Sequence, residues 1–113
     1  MIDPQNYYTL KLYLSFKPTK TTFRKCFLNY CSKEFIRFIC ECLLNLLHGK
    51  VPGIGIKDVK SFEAQLKRLI SKRTPLSERR AVLSSKKGLK LMNTVGKHIL
   101  LKFSNYFDGE ERM

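Results

Sequence analysis

The stretch that most constrains the fold covers residues 32–52 and reads SKEFIRFICECLLNLLHGKVP. Apolar side chains cover most of its helical circumference, and the polar ones follow a line at spacings of three and four: Glu34, Arg37, Glu41, Asn45 and His48. Such a narrow polar line predicts a helix that other elements cover on several sides. Ser32 is a suitable N-cap, and Gly49 followed by Pro52 ends the helix. We therefore predict a central apolar helix over about residues 33–48.

Residues 1–20 carry a different pattern. Tyr8, Leu10, Leu12, Leu14 and Phe16 alternate with more polar residues, and this period of two is typical of a strand. A lone strand lacks a partner in a helical protein. We therefore predict a strand-like N-terminal arm, with pairing to another copy or a helix in tertiary context as the alternatives.

The rest of the chain has the spacing of helices. Apolar residues recur at helical intervals over about 21–29, 58–73, 74–87 and 89–103, and Gly88 is expected to end or kink the third of these segments. The predicted fold class is all-α, a small helical bundle around the helix at about 33–48. The predicted division is an arm at 1–20, a basic helical domain at 21–103 and an acidic flexible tail at 104–113.

Charge defines the class of partner. The chain has 22 Lys and Arg against 9 Asp and Glu, a net charge of +13, and residues 57–102 hold 13 of the basic residues against three acidic ones. Such an excess favours polyanions, so nucleic acid and an anionic membrane surface are the candidate partners. The N-terminus lacks the layout of a secretory signal, and we expect a protein that is not secreted. No apolar run reaches the length of a membrane-spanning helix.

Four cysteines lie close together: Cys26, Cys31, Cys40 and Cys42. Their C-x4-C-x8-C-x-C spacing matches no standard zinc pattern, so we expect reduced thiols in the core, with a metal site or two disulfides as alternatives. His48 and His98 are far apart, and no acid pair stands in a recognisable frame. We therefore predict no catalytic residues, no cofactor and no metal, and a protein that is not an enzyme.

The central stretch also carries a family resemblance. The motif consists of Ile39, Cys40, Glu41, Cys42, Leu43, Asn45, Leu47, Gly49, Val51 and Pro52. Followed by the basic run and Gly88, it resembles short basic open reading frames of Polinton (Maverick) elements and the related adintoviruses, over about residues 31–103. The sequence departs from that pattern after Gly88, where Lys90, Lys97 and Lys102 interrupt an otherwise apolar segment.

The resemblance implies a context. It places the chain in a virus-like mobile element, whose small basic proteins resemble the DNA-condensing core proteins of adenoviruses. The expected location is then the host nucleus or the virion. No catalytic residue is carried over from the resemblance.

The leading hypothesis is a non-enzymatic, sequence-tolerant DNA-binding protein that contacts phosphates. The expected contacts are Lys67, Arg68, Lys72, Arg73, Arg79, Arg80, Lys86, Lys87 and Lys90. The alternatives are a merely solvated basic face and a membrane-active or protein-docking role for the amphipathic helix at 89–103. The choice between DNA and RNA, and between a monomer and a homo-oligomer, stays open.

Overall fold

Helix α3 spans Lys33–Leu47 and begins where the sequence predicts. The Ser32 hydroxyl accepts a hydrogen bond from the Phe35 amide at 3.1 Å, so the N-cap is made by the expected side chain. At the other end Gly49 adopts a φ of 72°, a left-handed conformation that suits glycine. The Lys50 amide then bonds to the Asn45 carbonyl at 2.9 Å. The predicted start and stop signals of this helix are therefore confirmed.

The side chains of α3 form a large part of the core. The buried ones are Phe35, Ile36, Phe38, Ile39, Cys40, Cys42, Leu43 and Leu46. Each large apolar side chain of this kind stabilises the fold by about 1.5–3 kcal/mol when fully buried. The polar line lies outside, with Glu34, Arg37 and Glu41 exposed.

A computed structural model describes the backbone of residues 3–111 and the side chains of all of these except residues 105 and 108–111. The elements in order are α1 (Pro4–Ser15), α2 (Thr21–Tyr30), α3, a 3₁₀ helix (Ile56–Phe62), α4 (Glu63–Ile70), α5 (Leu76–Ser84) and α6 (Lys86–Glu111). Every regular element over residues 3–111 is helical, which confirms the all-α class. Helix α6 packs against α1, α5 and the 3₁₀ helix, and α2 packs against α5.

The strand predicted in the N-terminal arm is wrong, because residues 4–15 form α1. The Asp3 carboxylate accepts a hydrogen bond from the Gln5 amide at 2.9 Å, and Pro4 occupies the first turn, as at many helix starts. Tyr7, Leu10 and Tyr13 are fully buried, at a spacing of three that fits one side of a helix. Tertiary packing of these three side chains outweighs the period-two pattern. Residues 1 and 2 lie outside the described part of the chain.

In the second half the element boundaries differ from those predicted. The segment predicted as one helix over 58–73 is the 3₁₀ helix followed by α4, which ends at Ile70. The break before the last helix falls at Ser85, and Gly88 lies inside the first turn of α6. Helix α6 runs past the predicted end at residue 103 to Glu111, so the backbone of most of the predicted tail is helical. Residues 112 and 113 of that tail are outside the described residues.

Candidate nucleic-acid interface

Two of the nine predicted phosphate contacts are arginines whose side chains bond to the protein's own backbone. Arg79 donates to the Ser71 carbonyl at 2.7 Å, at the C-cap of α4. Arg80 donates to the Leu28 carbonyl at 2.9 Å, in the last turn of α2. Carbonyls at helix ends lack partners within the helix, and cationic side chains satisfy them well. Both guanidinium groups are half-buried and join α5 to its neighbours.

Two more of the nine face carboxylates. Lys67 lies 3.4 Å from Glu63 within α4, and Arg68 lies 2.8 Å from Glu78 of α5. Pairs this exposed contribute little to stability. They do lower the positive charge that this part of the surface presents to a polyanion.

The remaining five, four lysines and one arginine, are exposed and lie on two separate elements. Lys72 and Arg73 lie in the loop between α4 and α5, and Lys86, Lys87 and Lys90 lie in the first two turns of α6. Lys87 makes a 3.4 Å contact with the Ser61 carbonyl. The other four make no ion pair with any side chain that the structure describes. The predicted set is therefore brought together only in part.

Lys86 and Lys90 line a cleft that the sequence does not reveal. The cleft has a volume of about 430 Å³ and lies between α2 and the start of α6. Its lining is Pro18, Thr21, Lys25, Lys86, Leu89, Lys90 and Asn93. Three ammonium groups from two helices thus converge on a space whose described lining contains no carboxylate. We call this space the lysine cleft.

Polar groups beside the three lysines add donors to the cleft. Asn93 uses its side-chain oxygen to accept from Arg24, so its amide nitrogen remains a donor. Thr21 supplies a hydroxyl and is the first residue of α2. No side chain caps that helix start, where free backbone N–H groups and the helix dipole favour an anion. The cleft is thus chemically suited to a phosphate group.

The junction of α5 and α6 sets the position of Lys86 and Lys90. The Ser85 hydroxyl accepts from the Gly88 amide at 3.1 Å, which caps α6. Gly88 is buried against the end of α5, where an added Cβ would lie 2.6 Å from the Leu83 carbonyl oxygen. This close approach places the first turn of α6 beside α2. The two lysines, four residues apart, then point to the same side of α6.

The position of Lys25 at the cleft depends on the preceding residue, Arg24, which is buried. Arg24 is only 2% exposed and donates to the Phe16 carbonyl at 2.7 Å and to Asn93. Its guanidinium carbon also lies 4.8 Å from the centre of the Tyr13 ring. Arg24 therefore ties α2 to α1 and α6, while the next residue, Lys25, faces solvent. In the sequence, spacings of four place Thr21 with Lys25 and Lys86 with Lys90 on one side of their helices, but no pattern shows that the two helices meet.

The cysteines take no part in the lysine cleft. All four are free thiols, with Cys40 and Cys42 buried. Burial raises the pKa of Cys42 to about 12, and burial also raises the pKa of Cys31 despite the nearby Arg80. The thiols of Cys31 and Cys42 are therefore protonated at neutral pH. Among the side chains that the structure describes, no group of His, Cys, Asp or Glu is arranged to hold a metal ion.

Comparisons with known proteins add no assignment to this geometry. No family model matches the sequence, and neither the curated proteins nor the solved structures yield a match. Among the described helices, none is long and apolar enough to cross a membrane. What the chain does must therefore be argued from an all-helical fold that carries a lysine-lined cleft.

Proposed function

We propose that the protein is a non-enzymatic, sequence-tolerant DNA-binding protein. It binds the phosphate backbone of DNA in the lysine cleft. The observation that carries this proposal is the convergence of Lys25, Lys86 and Lys90 on one space without a carboxylate. Each phosphate neutralised there releases condensed counterions, which makes binding favourable at low salt. Lys87, Lys72 and Arg73 would extend the contact along the strand.

Sequence tolerance follows from the type of side chain. Lysine is a flexible point charge, whereas base readout relies on planar Arg, Asn or Gln side chains that reach base edges. Arg79 and Arg80 of the original set bond to the protein's own carbonyls. We therefore propose that these two arginines hold α5 in place and that the lysines contact the phosphates.

The central helix fits this function as a scaffold. We propose that the bundle is arranged around α3, whose eight buried side chains anchor the elements that carry the cations. In this arrangement the most apolar helix makes no contact with DNA. Its Arg37 and Glu41 lie on the polar line and are exposed to solvent.

A role in condensing DNA suits such a chain. A net charge of +13 on 113 residues can neutralise many phosphates. Together with the resemblance to mobile-element proteins, this supports a core protein of a virus-like element of the Polinton type, acting in the host nucleus or the virion.

The alternative is that the amphipathic helix α6 inserts into membranes or docks on a protein. This alternative has less support, because the apolar face of α6 already packs in the core. Leu91, Met92, Val95 and Ile99 are fully buried in the core. Insertion of this face into a bilayer would require the bundle to open. Leakage of anionic vesicles by a chain that leaves DNA unbound would support the alternative instead.

Lysine footprinting tests the DNA-binding proposal at the level of single residues. Free lysines are acetylated with and without random duplex DNA, and mass spectrometry reads the modification at each position. We expect DNA to protect Lys25, Lys86 and Lys90 several-fold, because a bound phosphate shields their ammonium groups. Lys33, Lys50 and Lys57 are exposed and lie outside the cleft, so they serve as matched controls. Equal protection of both sets, or none, would refute the assignment.

A further inference from the structure

A second groove, of about 470 Å³, lies between α1 and α2 and is lined by uncharged residues. On the α1 side it is lined by Gln5, Thr9, Leu12 and Phe16, at spacings of four, three and four. These intervals place the four residues in one stripe along the helix. Leu12 is 54% exposed, which is high for a leucine in a bundle.

Helix α2 contributes a matching stripe. It consists of Phe23, Cys26, Phe27 and Tyr30, again at helical intervals. Phe23 is 60% exposed and Tyr30 is 85% exposed, and the Phe23 ring stacks on Phe16 with centroids 6.3 Å apart. Contiguous exposed apolar side chains of this size mark an interaction site. We call the two stripes together the α1–α2 face.

Charge indicates what covers this face. Charged residues make up 27% of the chain, yet none of the described residues lining the groove is charged. Two copies carrying +13 each repel one another, and an uncharged surface is where this repulsion opposes close approach least. Two uncharged stripes at helical spacing, with large apolar side chains in both, also fit the ridges of another helix pair.

We infer that the α1–α2 face binds the same face of a second copy of this chain, in a twofold-symmetric dimer. A self-complementary face is what such symmetry requires. Phe23, Tyr30 and Leu12 are the anchors, because they are large, apolar and exposed in one copy. The inference does not rest on DNA binding.

Nucleic-acid bases are the competing occupant, since exposed aromatic rings can stack on them. A stacking platform for single strands also needs cations for the phosphates. The groove has none in its described lining, and Lys25 of the same helix lines the lysine cleft instead. The observations therefore favour a second copy.

Sedimentation equilibrium of the full chain tests the dimer, in moderate salt that screens the net charge. We expect the average mass to rise with concentration from 13.2 kDa towards twice that value. Phe23→Lys should weaken association by about tenfold or more, because it buries a charge at an anchor. Leu101→Lys is the matched control, since Leu101 is 64% exposed and outside the groove. Circular dichroism verifies that both variants fold.

Three results would overturn the inference. One is a wild-type mass that stays at 13.2 kDa over the whole concentration range. Another is a Phe23→Lys variant that associates as well as Leu101→Lys. The third is a monomeric chain whose affinity for a single-stranded oligonucleotide falls in Phe23→Ala, which would assign the face to bases.

Discussion

At the scale of single residues, what a cation contacts decides what it does. Arg24, Arg79 and Arg80 each donate to a backbone carbonyl outside their own helix, and the bond of Arg80 joins α5 to α2, 52 residues away in sequence. The planar guanidinium group suits this work, because it offers several donors in a fixed geometry. Lys25 and Lys90 make no such bond among the described residues and remain available to a ligand. We therefore expect these three arginines to stabilise the fold and the lysines of the cleft to bind the ligand.

Arg24 gives the clearest test of this division. Replacing it with alanine removes its bonds to the Phe16 carbonyl and Asn93, and leaves that carbonyl without its donor. We expect Arg24→Ala to lower the free energy of unfolding by about 2–4 kcal/mol, measured by urea denaturation. Lys25→Ala, one residue away and exposed, should change it by no more than about 0.5 kcal/mol. Equal stability of the two variants would contradict a structural role for Arg24.

At the scale of elements, the junctions between helices position the lysine cleft. Helix α5 ends at Ser84 and α6 starts at Lys86, so a single residue separates the two helices. Ser85 caps the new helix, and Gly88 lets its first turn lie against the end of α5. This short junction brings two lysines of α6 alongside the start of α2.

Gly88→Ala tests the importance of this close approach. In an open helix the change would stabilise the fold by up to about 1 kcal/mol. Here the new Cβ would lie 2.6 Å from the Leu83 carbonyl oxygen, so α5 and α6 must separate. We expect the variant to lose about 1–3 kcal/mol of unfolding free energy, measured by urea or thermal denaturation.

Gly55→Ala is the control for that measurement, because nothing lies within 4 Å of the added Cβ there. Its stability should stay close to that of the wild type. A Gly88→Ala variant more stable than the wild type would contradict the close approach of α5 and α6 at this position.

Whether an element could be predicted from the sequence depends on whether local signals or tertiary contacts determine it. Helix α3 was predictable because its cap, its apolar face and its glycine stop are all local signals. Helix α1 was not, because its sequence alternates with a period of two, and only the packing of Tyr7, Leu10 and Tyr13 against the rest of the fold selects the helix. Gly88 was expected to break a helix, but its small size serves a contact between two helices instead.

The lysine cleft was predictable only in part for a similar reason. Lys86 and Lys90 belong to an obvious basic run, whereas Lys25 is about 60 residues away in sequence and outside that run. Their convergence depends on how α2 packs against α6, and no local pattern encodes that. The roles of Arg79 and Arg80 also depend on tertiary contacts, so counting charges could not separate them from the exposed lysines.

At the scale of the whole molecule, the +13 charge is distributed unevenly. The lysine cleft concentrates unpaired ammonium groups, whereas the described lining of the α1–α2 face has no charge at all. A polyanion would neutralise the first surface, and a second copy would cover the other. Both surfaces include α2, so binding of DNA would also bring α1–α2 faces of neighbouring copies close together and raise their effective concentration.

The most direct test is the salt dependence of binding to random duplex DNA. The slope of log K against log salt counts neutralised phosphates at about 0.9 each. The Lys25→Ala, Lys86→Ala, Lys90→Ala triple variant should therefore reduce the magnitude of the wild-type slope by about 2–3. The matched triple variant Lys33→Ala, Lys50→Ala, Lys57→Ala removes the same charge outside the cleft and should keep a slope close to wild type. Identical slopes for the two triple variants would contradict phosphate binding in the lysine cleft.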